Sequence, residues 1–192
     1  MQNYKAPERD TLFVTHELLD MQSHYQKLGF DDINEDLVRM IYTEAGKFSE
    51  NVLAPINAIG DQQGCIFDDG VVTTPDGFKE AYHTYVEGGW PSMMHPEKFG
   101  GQALPYSLAT SIAEWFSGAN HSWAMYPGLS QGCMETLKSH GTKQQQDMFL
   151  HKLDVNGNFQ WVKQIGNTGI DDVMQDLRIS SSGYIYATGN FN

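Results

Sequence analysis

Residues 143–161 read KQQQDMFLHKLDVNGNFQW, and the chain changes character inside this stretch. Before Leu150, apolar residues recur at three and four positions, the period of an amphipathic helix. After Asp154 the apolar residues Val155, Phe159, Trp161 and Val162 flank Asn156-Gly157, a dipeptide suited to a two-residue hairpin turn. Nothing with the composition of a linker separates the two. The reading is an α+β chain: a helical domain at 1–151, then a small antiparallel β segment at 152–192. Five or six helices are expected over residues 8–150 and a small sheet over 154–189.

Working outward, the charge is lopsided. The chain has 192 residues, 40% of them hydrophobic, and a net charge of −12. Nearly all of the acidic excess precedes residue 151. A surface of that sign repels phosphate backbones and anionic headgroups, which argues against nucleic-acid partners and against docking to membranes. The start, MQNYKAPERD, has no basic stretch followed by an apolar one, and no run approaches membrane-spanning length. A cytoplasmic setting is expected. Cys65 and Cys133 lie far apart and fit no ligand spacing, so two reduced structural thiols are expected.

The helical part can be placed in outline. Leu12, Phe13, Leu18, Leu19, Tyr25 and Leu28 suit a helix between Asp10 and Leu28. Asn34 is a candidate N-cap for a helix presenting Leu37, Met40, Ile41, Phe48 and Val52, ended by Pro55. Residues 57–74, rich in Gly, Asp and Gln, suggest an exposed excursion with a turn at Asp69-Gly70. Asp76 can cap a helix through Phe78, Tyr82 and Tyr85 that stops at Gly88-Gly89, and 90–105 reads as an irregular connection. Helices are expected from Ser107 to Phe116 and from Met125 to Leu137, both largely buried. Thr142 and Gln145 have capping-box spacing for a last helix.

Several of these pieces carry a family likeness. Gly88-Gly89-Trp90 followed by Pro96-Glu97-Lys98-Phe99-Gly100-Gly101-Gln102-Ala103-Leu104-Pro105 resembles the Trp, Pro-Glu, Gly-Gly, Leu-Pro loop of acyl-CoA dehydrogenases. Met125-Tyr126-Pro127-Gly128-Leu129 and His140-Gly141-Thr142-Lys143-Gln144-Gln145-Gln146 are similar to two later segments of the same N-terminal helical domain. The opening YKAPERDTLFVTHELLD and the excursion before Val71 resemble a longer bacterial branch acting on bulky or sulfur-containing acyl-CoA substrates. The resemblance implies FAD as cofactor, acyl-CoA as substrate, and α,β-dehydrogenation as the reaction. It also implies that Met125, Tyr126 and Leu129 line the acyl cavity.

The same resemblance implies what a working catalyst would need. The family's base is a Glu in a C-terminal helical domain, and its flavin is held mainly by a central domain opening with Thr-Glu-Pro and Gly-Ser-Asp. Here that position reads LDVNGNFQWVKQIG. No catalytic or cofactor-binding residue is therefore expected, and FAD is not expected to be retained. Glu114 and Glu135 are candidates for partial burial but hold no position the family uses. The seven histidines show no HExxH or i,i+4 pairing, so no metal site is expected.

From Leu153 to Asn192 the sequence runs LDVNGNFQWVKQIGNTGIDDVMQDLRISSSGYIYATGNFN, with a second turn signal at Ser182-Gly183 between Leu177-Arg178-Ile179 and Tyr184-Ile185-Tyr186-Ala187-Thr188. This segment resembles one repeat of the bacterial seven-bladed β-propeller family. One blade cannot bury both of its faces without neighbours. The expected function is thus an N-terminal fragment of an FAD-dependent acyl-CoA dehydrogenase, inactive alone and prone to self-association through apolar surface or strand edges. The alternatives are a non-enzymatic fused reading frame and a binding or assembly module built on the blade-like segment.

Overall fold

A computed structural model describes residues 4–149, 173–179 and 185–190. The chain divides into two compact units, residues 1–158 and 159–192. The first is helical. Helix α1 (Glu8–Leu12) runs into a π-helical turn, Phe13–Leu18, in which the Leu19 N–H reaches the Val14 carbonyl five residues back at 3.0 Å. Thr15 lies in that turn and donates its hydroxyl proton to the Thr11 carbonyl at 2.7 Å, a back-bond that lets a buried hydroxyl stay satisfied. Helix α2 (Met21–Lys27) starts afresh after Asp20, which is left-handed at φ 45° and accepts from the Ser23 N–H. The single helix expected from Asp10 to Leu28 is therefore two, because a left-handed residue cannot continue a right-handed helix.

Helix α3 (Glu35–Phe48) begins where Asn34 Oδ1 accepts the Leu37 N–H at 2.9 Å, as the N-cap reading expected. Its buried face carries Val38, Tyr42 and Ala45 and continues through Ser49 and Leu53 of the next turn, one step round from the expected Leu37, Met40, Ile41 and Val52; Phe48 is buried as expected. Nor does Pro55 end the rod. A second π turn, Ser49–Leu53, leads directly into helix α4 (Ala54–Gln63), with Pro55 in the first turn of α4. There the missing N–H costs nothing, and the π turn has already shifted the bonding register.

A small hairpin follows, β1 (Ile66–Asp68) and β2 (Val71–Thr73), paired Ile66 to Thr73 and Asp68 to Val71. Asp69 and Gly70 both have positive φ, 43° and 79°, the turn chemistry their sequence suggested. The expected excursion thus holds from residue 64, whereas residues 57–63 are helical. Helix α5 (Phe78–Glu87) starts at Gly77, and Asp76 instead accepts from the Gln63 side chain at 2.8 Å, so the proposed Asp76 cap is not made.

Residues 90–105 contain two short 3-10 turns, Trp90–Ser92 and Glu97–Phe99. Helix α6 (Tyr106–His140) is interrupted at Asn120, whose backbone is extended at φ −158°, ψ 90°. Asn120 explains the interruption. Its side-chain oxygen accepts the Trp123 N–H at 3.1 Å, an N-cap for the second half, while its amide donates to the Leu53 carbonyl at 3.3 Å. The second half therefore starts just after Asn120 rather than at Met125. Helix α7 (Lys143–Phe149) opens with the reciprocal capping box expected: Thr142 N–H to Gln145 Oε1 at 2.8 Å, Gln145 N–H to Thr142 Oγ1 at 3.2 Å.

The core of this unit is aromatic. Phe48 of α3 meets the rings of Tyr85, Trp90, Phe116 and Trp123 at centroid distances of 6.2, 6.4, 5.1 and 5.8 Å. Each edge-to-face or tilted pair adds about 0.5–1.5 kcal/mol beyond area burial, so this cluster ties α3, α5, the 90–105 segment and α6 together.

In the second unit, strand β3 (Val173–Ile179) pairs antiparallel with β4 (Ile185–Asn190), Ile179 opposite Ile185, with a bulge between Met174 and Asp176. This agrees with the strands expected on either side of Ser182-Gly183. The hairpin at Asn156-Gly157, its flanking strands and the turn itself lie outside the described residues. What stands here is a two-stranded antiparallel sheet; a propeller blade is not shown.

Candidate functional site

The residues expected to line an acyl cavity lie in the second half of α6. Met125, Tyr126 and Leu129 project on one side of it and are exposed, by 59%, 40% and 76%. The expectation of a largely buried helix here is overturned: Cys133 is also exposed and Leu137 is only half-buried, with Met134 carrying the burial. Physically, α6 has its Trp115, Phe116 and Trp123 side against the aromatic core, which leaves the far side of its second half bare.

Tyr126 is the most constrained of the three. Its ring stands edge-on to Phe78 at 6.3 Å, and its hydroxyl lies 3.5 Å from Cys65 Sγ, at the foot of the β1–β2 hairpin. The hydrogen bond with Cys65, then burial, pushes the phenol up to about 12. Cys65 is thus an exposed thiol in contact with the candidate face, rather than a buried structural one. Sequence reasoning missed this contact because 61 residues separate the partners and no spacing rule links them. The hairpin beyond Cys65 carries more bare apolar surface, with Ile66, Phe67, Val71 and Val72 all more than half exposed.

The 90–105 segment is rigidly organised. Its two limbs are joined by Gln102 N–H to the Ser92 carbonyl (3.0 Å), Leu104 N–H to Met93 (2.9 Å) and Ala103 N–H to His95 (2.9 Å). Gly101 is required by close approach, since a Cβ there would lie 1.9 Å from the His95 carbonyl oxygen. His95 itself is buried, a feature that the sequence did not signal.

Neither candidate carboxylate is placed as a base. Glu114 is exposed, and Glu135 pairs with Lys138 at 3.2 Å. Among the described residues no group of three His, Cys, Asp or Glu side chains is arranged to hold a metal ion. A flavin dinucleotide needs cationic or N–H donors for its diphosphate; among the described residues, the face formed by Met125, Tyr126, Leu129 and Cys65 offers a thioether, a phenol, an aliphatic side chain and a thiol, which do not fit that group.

Residues 35–154 match the acyl-CoA dehydrogenase N-terminal domain, and the chain belongs to that family. It is 32% identical over 150 residues to a 3-methylmercaptopropionyl-CoA dehydrogenase of Ruegeria pomeroyi, covering 78% of this chain and 26% of that one. A broad-specificity linear acyl-CoA dehydrogenase of Mycobacterium tuberculosis is 28% identical over 147 residues, 76% of this chain and 24% of its own. A butyryl-CoA dehydrogenase of Syntrophomonas wolfei is 30% identical over 161 residues, 79% and 25%. The chain spans about a quarter of the length of these curated relatives. A solved structure concerned with the electron-transferring flavoprotein of Acidaminococcus fermentans aligns at TM-score 0.51 over 65% of this chain and 30% of that one. At 21% identity that likeness concerns the fold alone.

Among the described residues no helix is long and apolar enough to cross a membrane.

Proposed function

We propose that this chain supplies the N-terminal helical domain of an FAD-dependent acyl-CoA dehydrogenase and is not catalytic by itself. One observation carries the reading: Met125, Tyr126 and Leu129 stand bare on one side of α6, on the segment that resembles the family's acyl-side helix. In this reading that face borders an acyl-CoA chain once a flavin domain is present, and Tyr126, held by Cys65 and Phe78, is its least mobile member. A sulfur-containing or short linear acyl group is the substrate class that the relatives' names favour. The two exposed free thiols support a reducing, cytoplasmic setting.

The blade-like character of residues 152–192 remains part of the proposal, supported by the antiparallel pairing of β3 with β4. A segment of this kind replaces the family's flavin-holding signature.

The test is an absorbance spectrum of the purified chain, together with an assay for acyl-CoA-dependent reduction of an added electron acceptor. We expect no stoichiometric flavin and no reduction. Yellow protein with one flavin per chain, or turnover of any acyl-CoA, would overturn the non-catalytic reading.

A further inference from the structure

His95 combines three features found together nowhere else among the described residues. It is buried at 8% exposure, its Nε2 has no hydrogen-bond partner, and it is the residue on which a loop closes. The His95 N–H donates to the Ser92 carbonyl at 3.2 Å, its carbonyl accepts from Ala103, and Gly101 packs against it too closely for any side chain to intervene. The Pro91 backbone beside the imidazole favours its protonated form, but Nε2 is without a partner and sealed from water. A proton arriving there creates a buried N–H and a positive charge with neither acceptor nor solvent, which is costly until the ring becomes exposed.

The charged groups that act on the ring come from α6: Glu135, which favours the imidazolium, and Lys138, which opposes it. These two are paired with each other at 3.2 Å, so Glu135 is only partly free to serve as an acceptor. On the loop itself, the Lys98 ammonium sits over the Phe99 ring at 4.6 Å.

We propose that His95 is a proton-operated latch, whose neutral imidazole holds the 91–105 loop against the helical unit and whose protonation releases it. Burial holds the ring below the ordinary histidine value of 6.5. The sign follows from linkage: a group depressed in the closed state contributes stability above 6.5, and that stability is lost as pH falls through the depressed value. The loop is therefore closed at neutral pH and opens in mild acid, while the aromatic core around Phe48, which contains no titrating imidazole, stays folded.

The test is amide hydrogen exchange on the full chain at a series of pH values between neutrality and mild acid, corrected for intrinsic exchange, comparing wild type with His95→Gln and Glu135→Gln. In wild type, protection at Gln102, Ala103 and Leu104 should fall by about tenfold per pH unit once the latch begins to open, with α3 unchanged. His95→Gln should abolish that pH dependence. Glu135→Gln, which removes the group favouring the imidazolium in the closed state, should deepen the acid loss of protection at these amides rather than lessen it. Should His95→Gln fail to fold, the wild-type ring is titrated by NMR, and its midpoint must fall below 6.5 and coincide with loss of loop protection. Loop protection flat across the range, an unaltered pH dependence in His95→Gln, or a His95 midpoint at or above 6.5 would overturn the latch.

Discussion

The Trp123 indole N–H donates to the Phe78 carbonyl at 3.1 Å, joining the second half of α6 to the first residue of α5 inside the aromatic core. Trp123 is completely buried and Phe78 nearly so. The bond fixes the rotation of α6 just before Met125, and so helps decide which side of the helix is left bare.

Replacing Trp123 with Phe removes that donor and several ring atoms at once. The loss combines a buried carbonyl with one partner fewer and a small cavity, and about 2–4 kcal/mol of unfolding free energy is expected. Urea denaturation should show the midpoint falling at unchanged slope. A loss below about 0.5 kcal/mol would mean that the bond and the ring packing are both dispensable.

Two glycines should respond in opposite directions to alanine. Gly101→Ala forces a methyl group onto the His95 backbone and should cost about 3 kcal/mol, because backbone on both sides is fixed by hydrogen bonds. Gly128 lies in α6 with nothing within 4 Å of a built Cβ, and Gly128→Ala should stabilise by about 0.5–1 kcal/mol through helix propensity. Thermal melts of the two variants side by side check both signs.

Much of this fold was legible where local chemistry decides it. Asn34, the Thr142/Gln145 pair and Asp69-Gly70 each satisfy or bend the backbone with their own atoms, so spacing alone identified them. Helix faces were harder to read. The buried side of α3 and the π turn after it uses Tyr42, Ala45 and Ser49, which do not stand out as a hydrophobic stripe, whereas the conspicuous Met40 is 58% exposed. Asp20 gave no warning of a break, since Leu18, Leu19 and Met21 around it read as continuous helix. For the candidate site, likeness pointed to Met125, Tyr126 and Leu129, while their exposure and the Cys65 contact depend on tertiary placement that no local pattern encodes.

Glu50 should tie the N-terminus down in a pH-dependent way. Its carboxylate accepts from the Lys5 ammonium and from the Ala6 N–H at 3.0 Å, and the Lys5 bond chiefly holds it below the usual carboxylate range. A depressed acid contributes stability above its ordinary value of 4.5, lost as pH falls through the depressed one. Protection of the Ala6 amide should therefore decline in acid, and Glu50→Gln should show weak protection at every pH. The global stability change should stay within about 1 kcal/mol, since the pair is solvent-accessible.

Alkylating Cys65 should lower the Tyr126 phenol from about 12 toward 10, because the thiol is the first cause of its elevation. The Cys65→Ala variant should do the same. An NMR titration of Tyr126 that is unchanged by either treatment would show that the pair is not bonded in solution.

The bare apolar surface on the hairpin and on α6 should drive self-association of the isolated chain. Ile66, Phe67, Val71 and Val72 with Met125, Tyr126 and Leu129 leave aliphatic and aromatic groups in water. Covering about 400 Å² of it at roughly 25 cal/mol per Å² yields on the order of 10 kcal/mol. Association costs about 4–15 kcal/mol in lost freedom, so at most about 6 kcal/mol remains and the affinity should be weak, with a dissociation constant of about 10⁻⁴ M or weaker. A net charge of −12 opposes the contact at low salt, and added salt screens that repulsion while leaving apolar burial intact. Sedimentation velocity should therefore show association that strengthens with ionic strength. The double variant Phe67→Asp with Leu129→Glu should weaken it by at least about tenfold, the effect of only 1.4 kcal/mol. A monomer at all concentrations and salts, or association indifferent to the double variant, would place the cohesive surface elsewhere or show that this face is not cohesive.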